Sequence, residues 1–198
     1  MREIINLITF KRPAITDIIE DMAGLRIDIF KEYPYLYDGN LEYEKDYLNT
    51  YSQSENAIII AIFVNGLLAG AITGLPLSEE VDEFKNAFLN NGLTIDNVFY
   101  IGECILLPQY RNMKLSKLLF DELEWLIKRK HIYNTICFST VERSENHPLK
   151  PDDYLNNDLI WQKKSYVKHE NISCTFEWKD IDKNESDAKK MIFWSKEL

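Results

Sequence analysis

The sequence predicts an α/β (α+β) fold: a mixed, mostly antiparallel central sheet with one β-α-β unit and helices on both faces. Three observations carry that expectation. In AIIIAIFVNGLLAGAITGLP, two apolar runs are joined by Asn65-Gly66, a pair suited to a two-residue hairpin turn with two positive φ angles. Between Val98 and Val141 an apolar run, a helical pattern and a second apolar run follow one another, the layout of two parallel strands joined by a right-handed crossover. Across the 198 residues there is no repeat, low-complexity tract or linker, so 1–198 reads as a single domain.

The elements follow in order. Ile4 to Phe10 is a β-like run. After Pro13, residues Ile15, Ile18, Ile19, Met22, Leu25 and Ile29 recur at helical spacing. Tyr33 to Asn40 (YPYLYDGN) is an aromatic turn, and Leu41 to Tyr51 is a second helix with Tyr43, Tyr47 and Leu48 on one side. Ala57–Val64 and Leu67–Leu75 are the hairpin strands, and the polar stretch Ser78–Asn90 is helical or irregular. Val98–Pro108 is a long strand. Leu115, Leu118, Leu119, Leu123, Leu126 and Ile127 then mark one face of a helix, with Lys117, Asp121, Glu124 and Lys128 on the other. Thr135–Val141 is the next strand, and Glu142–Asn157 is a loop with two prolines. Leu159–Lys164 is a short helix, and Tyr166–Trp178 and Met191–Lys196 are late strands.

The formal net charge is −9, which disfavours nucleic acid, since phosphates demand a basic surface. It mildly favours a cationic or amine-bearing substrate through long-range steering. No run of 18 apolar residues occurs, so no membrane span is expected. MREIINLITFKRPA has too short an apolar run, and no small-residue cleavage site, for a secretory signal; a cytoplasmic protein is expected. Cys104, Cys137 and Cys174 lie apart in apolar segments and read as reduced core residues. His131, His147 and His169 lack metal-ligand spacing, so no metal is expected.

The stretch LLPQYRNMKLSKLLFDELEWL combines a strand end, a short basic turn and a long helix. The first turn of a helix offers unpaired N–H groups, and the helix dipole adds about half a positive charge there. The donors fall near Met113 to Lys117, with Arg111, Lys114 and Lys117 supplying cationic side chains. Basic residues in a first turn oppose the dipole, so helix stability alone does not select them. An anion such as a pyrophosphate fits such a turn.

The order of elements and this turn resemble the GNAT superfamily of acyl-CoA-dependent N-acyltransferases, most strongly over Val98–Tyr166 and KKMIFWSKEL. The family's turn is commonly Q/R-x-x-G-x-G/A. Arg111 matches its first position, Lys114 stands at the first glycine and Ser116 at the last. The resemblance implies acetyl-CoA as acyl donor, with the pantetheine arm hydrogen-bonded by the backbone of Leu106 and Leu107. The pyrophosphate is implied to lie in the turn formed by Arg111, Asn112, Met113, Lys114, Leu115, Ser116 and Lys117. If position 114 is left-handed, a lysine there costs ~1–2 kcal/mol. If it only needs close phosphate approach, the ammonium can offset the lost space as a point charge.

Acyl transfer to an amine needs a proton acceptor for the amine and a donor for the departing thiolate. Glu103, mid-strand in GECILLP, is the base candidate, because a carboxylate in an apolar strand is costly without a task or a partner; relatives often carry a carboxylate on this strand. The alternative is a salt-bridged structural glutamate. The family's late-helix tyrosine is replaced here by Trp161, whose indole N–H can hydrogen-bond but not protonate a thiolate. Tyr154 is the substitute acid candidate, otherwise a plain loop aromatic. Asn146, His147 and Asp152 either line the acceptor pocket or set the turn around Pro148 and Pro151. Tyr33, Tyr35, Tyr37, Tyr43 and Tyr47 cluster where the acceptor is expected, as ligand-binding or as packing rings.

The expected function is N-acetyl transfer from acetyl-CoA to an amine of a small molecule or protein. The alternative is a catalytically impaired acyl-CoA-binding or interaction protein of the same fold. A nucleotide-binding module is the third reading, and no Walker or Rossmann glycine pattern supports it. The sequence does not specify the acceptor or the oligomeric state; a homodimer is compatible with it.

Overall fold

The computed structural model describes residues 3–198. Its elements run β1 (Ile5–Phe10), α1 (Ile19–Phe30), α2 (Leu41–Gln53), β2 (Ile58–Val64), β3 (Leu67–Pro76), α3 (Asp82–Leu89), β4 (Val98–Leu106), α4 (Leu115–Lys128), β5 (Thr135–Val141), α5 (Asp158–Lys163), β6 (Val167–Lys179) and β7 (Ser186–Glu197). Short 3₁₀ turns at Ala14–Ile18, Leu77–Glu79 and Pro108–Tyr110 lead into or out of them. One seven-stranded sheet has the order β1-β2-β3-β4-β5-β7-β6. Among the described residues only β4 and β5 pair in parallel, as a crossover helix between adjacent strands requires.

Local chemistry explains the boundaries. The β2–β3 turn has φ 51° at Asn65 and 86° at Gly66, so both residues are left-handed, as the strand twist of a two-residue hairpin demands. Asn40 caps α2, its side-chain oxygen accepting from the Glu42 and Tyr43 amides at 3.0 and 3.2 Å. The polar stretch after β3 resolves into a 3₁₀ turn and α3, whose Phe84, Ala87 and Phe88 are buried. The last strand is longer than its apolar core suggested. It begins at Ser186, where polar residues continue the pairing with β6.

The sheet separates two cores by the strand's two-residue period. Ile59 and Ala61 of β2 pack with α1, α2 and α3, while Ile58, Ile60, Ile62 and Val64 pack with α4. No described helix is long and apolar enough to cross a membrane.

Candidate active site

The site begins with a divergence in the sheet. β4 pairs with β5 only over Val98–Tyr100, opposite Thr135–Cys137. Beyond Tyr100 the two strands part, each keeping its other neighbour: β4 stays on β3 as far as Leu106, and β5 stays on β7 as far as Val141. The Leu107 amide donates to Ala69 O at 2.9 Å. By antiparallel alternation, the backbone groups of Leu106 and Cys104 therefore turn away from β3 and toward the gap. The Leu106 carbonyl is met there by Arg111 Nε at 3.2 Å. Both backbone groups of Leu107 are used internally, its carbonyl accepting from the Tyr110 amide at 3.0 Å. Of the two leucines, Leu106 is the one whose amide is directed at the gap.

At the mouth of this gap lies the start of α4. Asn112 (φ 64°) and Lys114 (φ 62°) are both left-handed. Asparagine visits that region readily, but lysine does so at a cost of ~1–2 kcal/mol. Position 114 is thus a true left-handed position and not only a point of close approach. Lys114 is the N-cap of α4 and no side chain caps the helix, so the amides of Leu115, Ser116 and Lys117 have no partner within the helix. The three cations of the turn are not equivalent. Arg111 Nη1 bonds Glu32 at 2.7 Å, and Lys117 is tied to Asp121 one turn along the helix. Lys114 has no carboxylate partner among the described residues, so it is the cation least committed to the protein itself.

On the opposite side of β4 lies a cavity of about 330 Å³. Its wall includes Phe30, Tyr35, Tyr37, Tyr43, Tyr47, Phe84, Tyr100, Phe176 and Trp178, with Arg26, Glu44 and Glu103 among them. The tyrosine-rich segment is held in place by Arg143. It donates to the carbonyls of Pro34 (2.7 Å) and Tyr35 (2.6 Å) and pairs with both oxygens of Asp180 (2.8 and 2.9 Å). Trp178 Nε1 also donates to Tyr35 O at 3.0 Å. Four of the five clustered tyrosines line the cavity. The fifth, Tyr33, instead packs edge-on against Tyr154, ring centroids 4.6 Å apart.

Glu103 is buried and does not stand alone. Arg26 Nη1 donates to its Oε2, and Arg26 Nε donates to Glu44 Oε2, so one guanidinium bridges carboxylates from α2 and β4. Arg26 lies over the rings of Tyr47 (4.4 Å) and Phe30 (4.9 Å). Burial works against its charge, but Glu103 and Glu44 outweigh it and raise its pKa further above the ordinary arginine value. Glu103 Oε1 and Glu44 Oε1 have no hydrogen-bond partner among the described residues.

A bulge brings Glu103 to this position. Thr73 pairs with Glu103 and Gly74 with Ile101, leaving Gly102 unopposed. A Cβ on Gly102 would run into the Tyr51 hydroxyl, so glycine admits α2 against the strand. Tyr51 and Tyr47 share a hydroxyl contact at 3.1 Å. Burial pushes the phenols of Tyr47, Tyr51 and Tyr100 well up and that of Tyr35 to about 12. These hydroxyls stay neutral near pH 7, able to donate but not to act as bases. Glu80, buried below the same cluster, has its carboxyl raised to about 7, chiefly by burial, with Glu103 adding to the effect.

The remaining sequence-derived candidates lie elsewhere. Tyr154 is not in the cavity wall; it is half-buried, and burial raises its pKa. His147 sets the turn, its Nδ1 accepting from the Leu149 amide at 3.2 Å and its carbonyl from the Lys150 amide at 3.0 Å. Trp161 packs against Phe138 (5.0 Å) and Trp194 (5.2 Å) in the core beneath α4. Burial raises the pKa of Cys104 and Cys174 to about 12, and that of Cys137 well up, so these thiols are not activated. Arg26 and Glu44 are the site residues that sequence reading missed. Their signal was present: Arg26 stands four residues after Met22, and Glu44 four before Leu48, each a charge on an apolar helix face.

A seven-stranded sheet that splits between its parallel strands, with an uncapped helix start at the mouth of the split, defines a class of α/β folds with a groove through the sheet. No family model matches the sequence, and no curated protein matches it. Solved structures do match. An acetyltransferase of the GNAT family from Streptococcus pneumoniae superposes with a TM-score of 0.59 at 14% identity, over 98% of this chain and 100% of that one. Arabidopsis thaliana NAA60 in complex with acetyl-CoA gives 0.62 at 11%, over 98% and 99%. The paiA N-acetyltransferase of Thermoplasma acidophilum in complex with coenzyme A gives 0.57 at 13%, over 98% and 99%. The protein has the GNAT fold.

Proposed function

We propose that the protein is an N-acetyltransferase that moves the acetyl group of acetyl-CoA to an amine. The observation that carries this reading is the parting of β4 and β5, which connects the α4 start to the Glu103 cavity across one strand. The donor set suits acetyl-CoA as substrate. The amides of Leu115 to Lys117 and the Lys114 ammonium suit a pyrophosphate, and the gap-facing amide of Leu106 suits an extended amide-bearing arm. Similar folds are solved with coenzyme A and with acetyl-CoA.

Glu103 takes one proton from the acceptor ammonium through Oε1, the oxygen that Arg26 leaves free. The neutral amine then forms the C–N bond as the C–S bond breaks, the leaving thiolate takes a proton from its donor, and the second amine proton replaces it on that donor. Overall an ammonium and a thioester give an amide, a thiol and one proton. The cavity tyrosines hold the acceptor and do not abstract protons. Tyr154 remains the proposed donor to the thiolate, acting at the end of the loop packed on Tyr33. A cytoplasmic protein acting as one domain fits this reading, with no nucleic-acid or membrane partner.

A second reading is favoured by one specific feature. Arg26 holds Glu103 in a buried ion pair, a structural task that accounts for a carboxylate in this strand without catalysis. On that reading the protein binds acyl-CoA without transferring it. Calorimetry with acetyl-CoA, CoA and ATP, followed by thiol release against a panel of amines, separates the alternatives. Binding of both CoA species but not ATP, with amine-dependent thiol release, is expected. Binding without release against a broad panel supports the second reading, and absence of CoA binding overturns both.

A further inference from the structure

The cavity wall holds more acid than base. One guanidinium, Arg26, faces two buried carboxylates, Glu44 and Glu103, and the wall's other ionic pair, Asp38 with Lys179, is balanced. Each carboxylate of the cluster spends one oxygen on Arg26; the other oxygen of Glu103 has no donor among the described residues, and that of Glu44 has only the nearby Tyr37 hydroxyl, which burial and Glu44 keep protonated. Carboxylates usually accept several hydrogen bonds, and burial without them is costly. The cluster is therefore short of one positive charge and, Tyr37 apart, of donors to its two outer oxygens.

We infer that the acceptor is a small primary monoamine with an apolar, ring-sized body, and that its ammonium completes the Arg26–Glu44–Glu103 cluster. A primary ammonium brings one charge and three donors, enough to reach both free oxygens. The aromatic wall then receives the body: Phe84, Phe176 and Trp178 offer faces and edges for an apolar group, and ring faces attract the adjoining cation. Size points the same way, since about 330 Å³ lies at the small end of the ~300–1,000 Å³ range of small-molecule sites. A peptide amino terminus brings backbone amides that need partners along their length, and this wall is mostly rings. A neutral or anionic acceptor leaves the missing charge unmatched. The net charge of −9 draws cations toward the site from a distance.

Glu44 is thereby assigned to acceptor binding, and Glu103 both binds the ammonium and takes its proton. The transfer chemistry rests on the acetyltransferase reading, but amine recognition does not, so the test measures binding without acyl donor. Wild-type protein at pH 7 is titrated calorimetrically with 2-phenylethylamine, 2-phenylethanol, 3-phenylpropanoate and ethylamine. The first should bind at least ten-fold more tightly than each of the others. Parity with the alcohol overturns the charge argument, and parity with ethylamine overturns the role of the rings. Tighter binding of the carboxylate overturns the inference outright. Glu44→Gln should reduce the amine-to-alcohol preference several-fold. Should that variant not fold, Tyr43→Ala, at an exposed wall position, should weaken the ring-bearing amine more than ethylamine. Amine preference without CoA binding would sink the transfer reading alone; CoA binding without amine preference would sink this inference alone.

Discussion

Replacing Lys114 by glycine tests two properties of the proposed anion turn at once. The residue sits at φ 62°, ψ 15°, as the N-cap of α4, with its side chain exposed. A side chain in this region costs ~1–2 kcal/mol, while glycine gives back ~0.5–1 kcal/mol through its greater freedom in the unfolded chain. Lys114→Gly should therefore stabilise the ligand-free protein by about 0.5–1 kcal/mol. For a chain of this length that corresponds to a rise in Tm of about 1–4 °C. The ammonium has no carboxylate partner among the described residues, and an exposed ion contact is worth ~0.2–1 kcal/mol. The same variant should bind CoA up to about five-fold more weakly. Lys114→Ala separates the two effects, because alanine retains the left-handed cost and loses the charge. It should melt near wild type and share the weakened affinity. Thermal melts with and without CoA, with calorimetric titrations of all three proteins, provide the readout. A glycine variant that melts no higher than wild type refutes the strain argument, and equal CoA affinity across the three refutes the role of the ammonium.

Three further outcomes are expected. Arg111→Ala should weaken CoA about ten-fold, near the low end for a charged hydrogen bond because the side chain is half-exposed and shared with Glu32, whereas Glu32→Gln should tighten it; calorimetry reading no change in either removes Arg111 from the site. Glu103→Gln should lower turnover by ~10²–10⁴-fold with CoA affinity nearly intact, since the amide keeps the shape and Arg26 keeps Glu44; wild-type turnover across the pH range makes Glu103 structural. Glu80 has its carboxyl raised from 4.5 to about 7, so the folded protein holds a proton that the unfolded chain has released. Its contribution to stability is full below pH 4.5 and is lost as pH climbs through 7, a decline of roughly 3 kcal/mol at ~1.4 kcal/mol per pH unit. Denaturation of Glu80→Gln between pH 4.5 and 8 should show that decline flattened, and a parallel wild-type curve contradicts it.

What the sequence determined by itself was local. Apolar periods of two and 3.6 residues specify strands and helices wherever burial is one-sided, so the hairpin at Asn65-Gly66, the β-α-β unit and the amphipathic α4 could all be read directly. The turn proposed to hold an anion was legible as a helix start with basic neighbours. Tertiary structure decided the rest, because the relevant forces act between residues distant in sequence. Arg26 reaches Glu44 and Glu103 across 18 and 77 positions, and no periodicity encodes which carboxylates a buried guanidinium will bridge. The handedness at Lys114 depends on how the turn must bend to enter α4, and not on the preference of lysine itself. The gap between β4 and β5 arises because two strands that pair over three residues each keep a better partner on the other side, a competition visible only once the whole sheet is assembled.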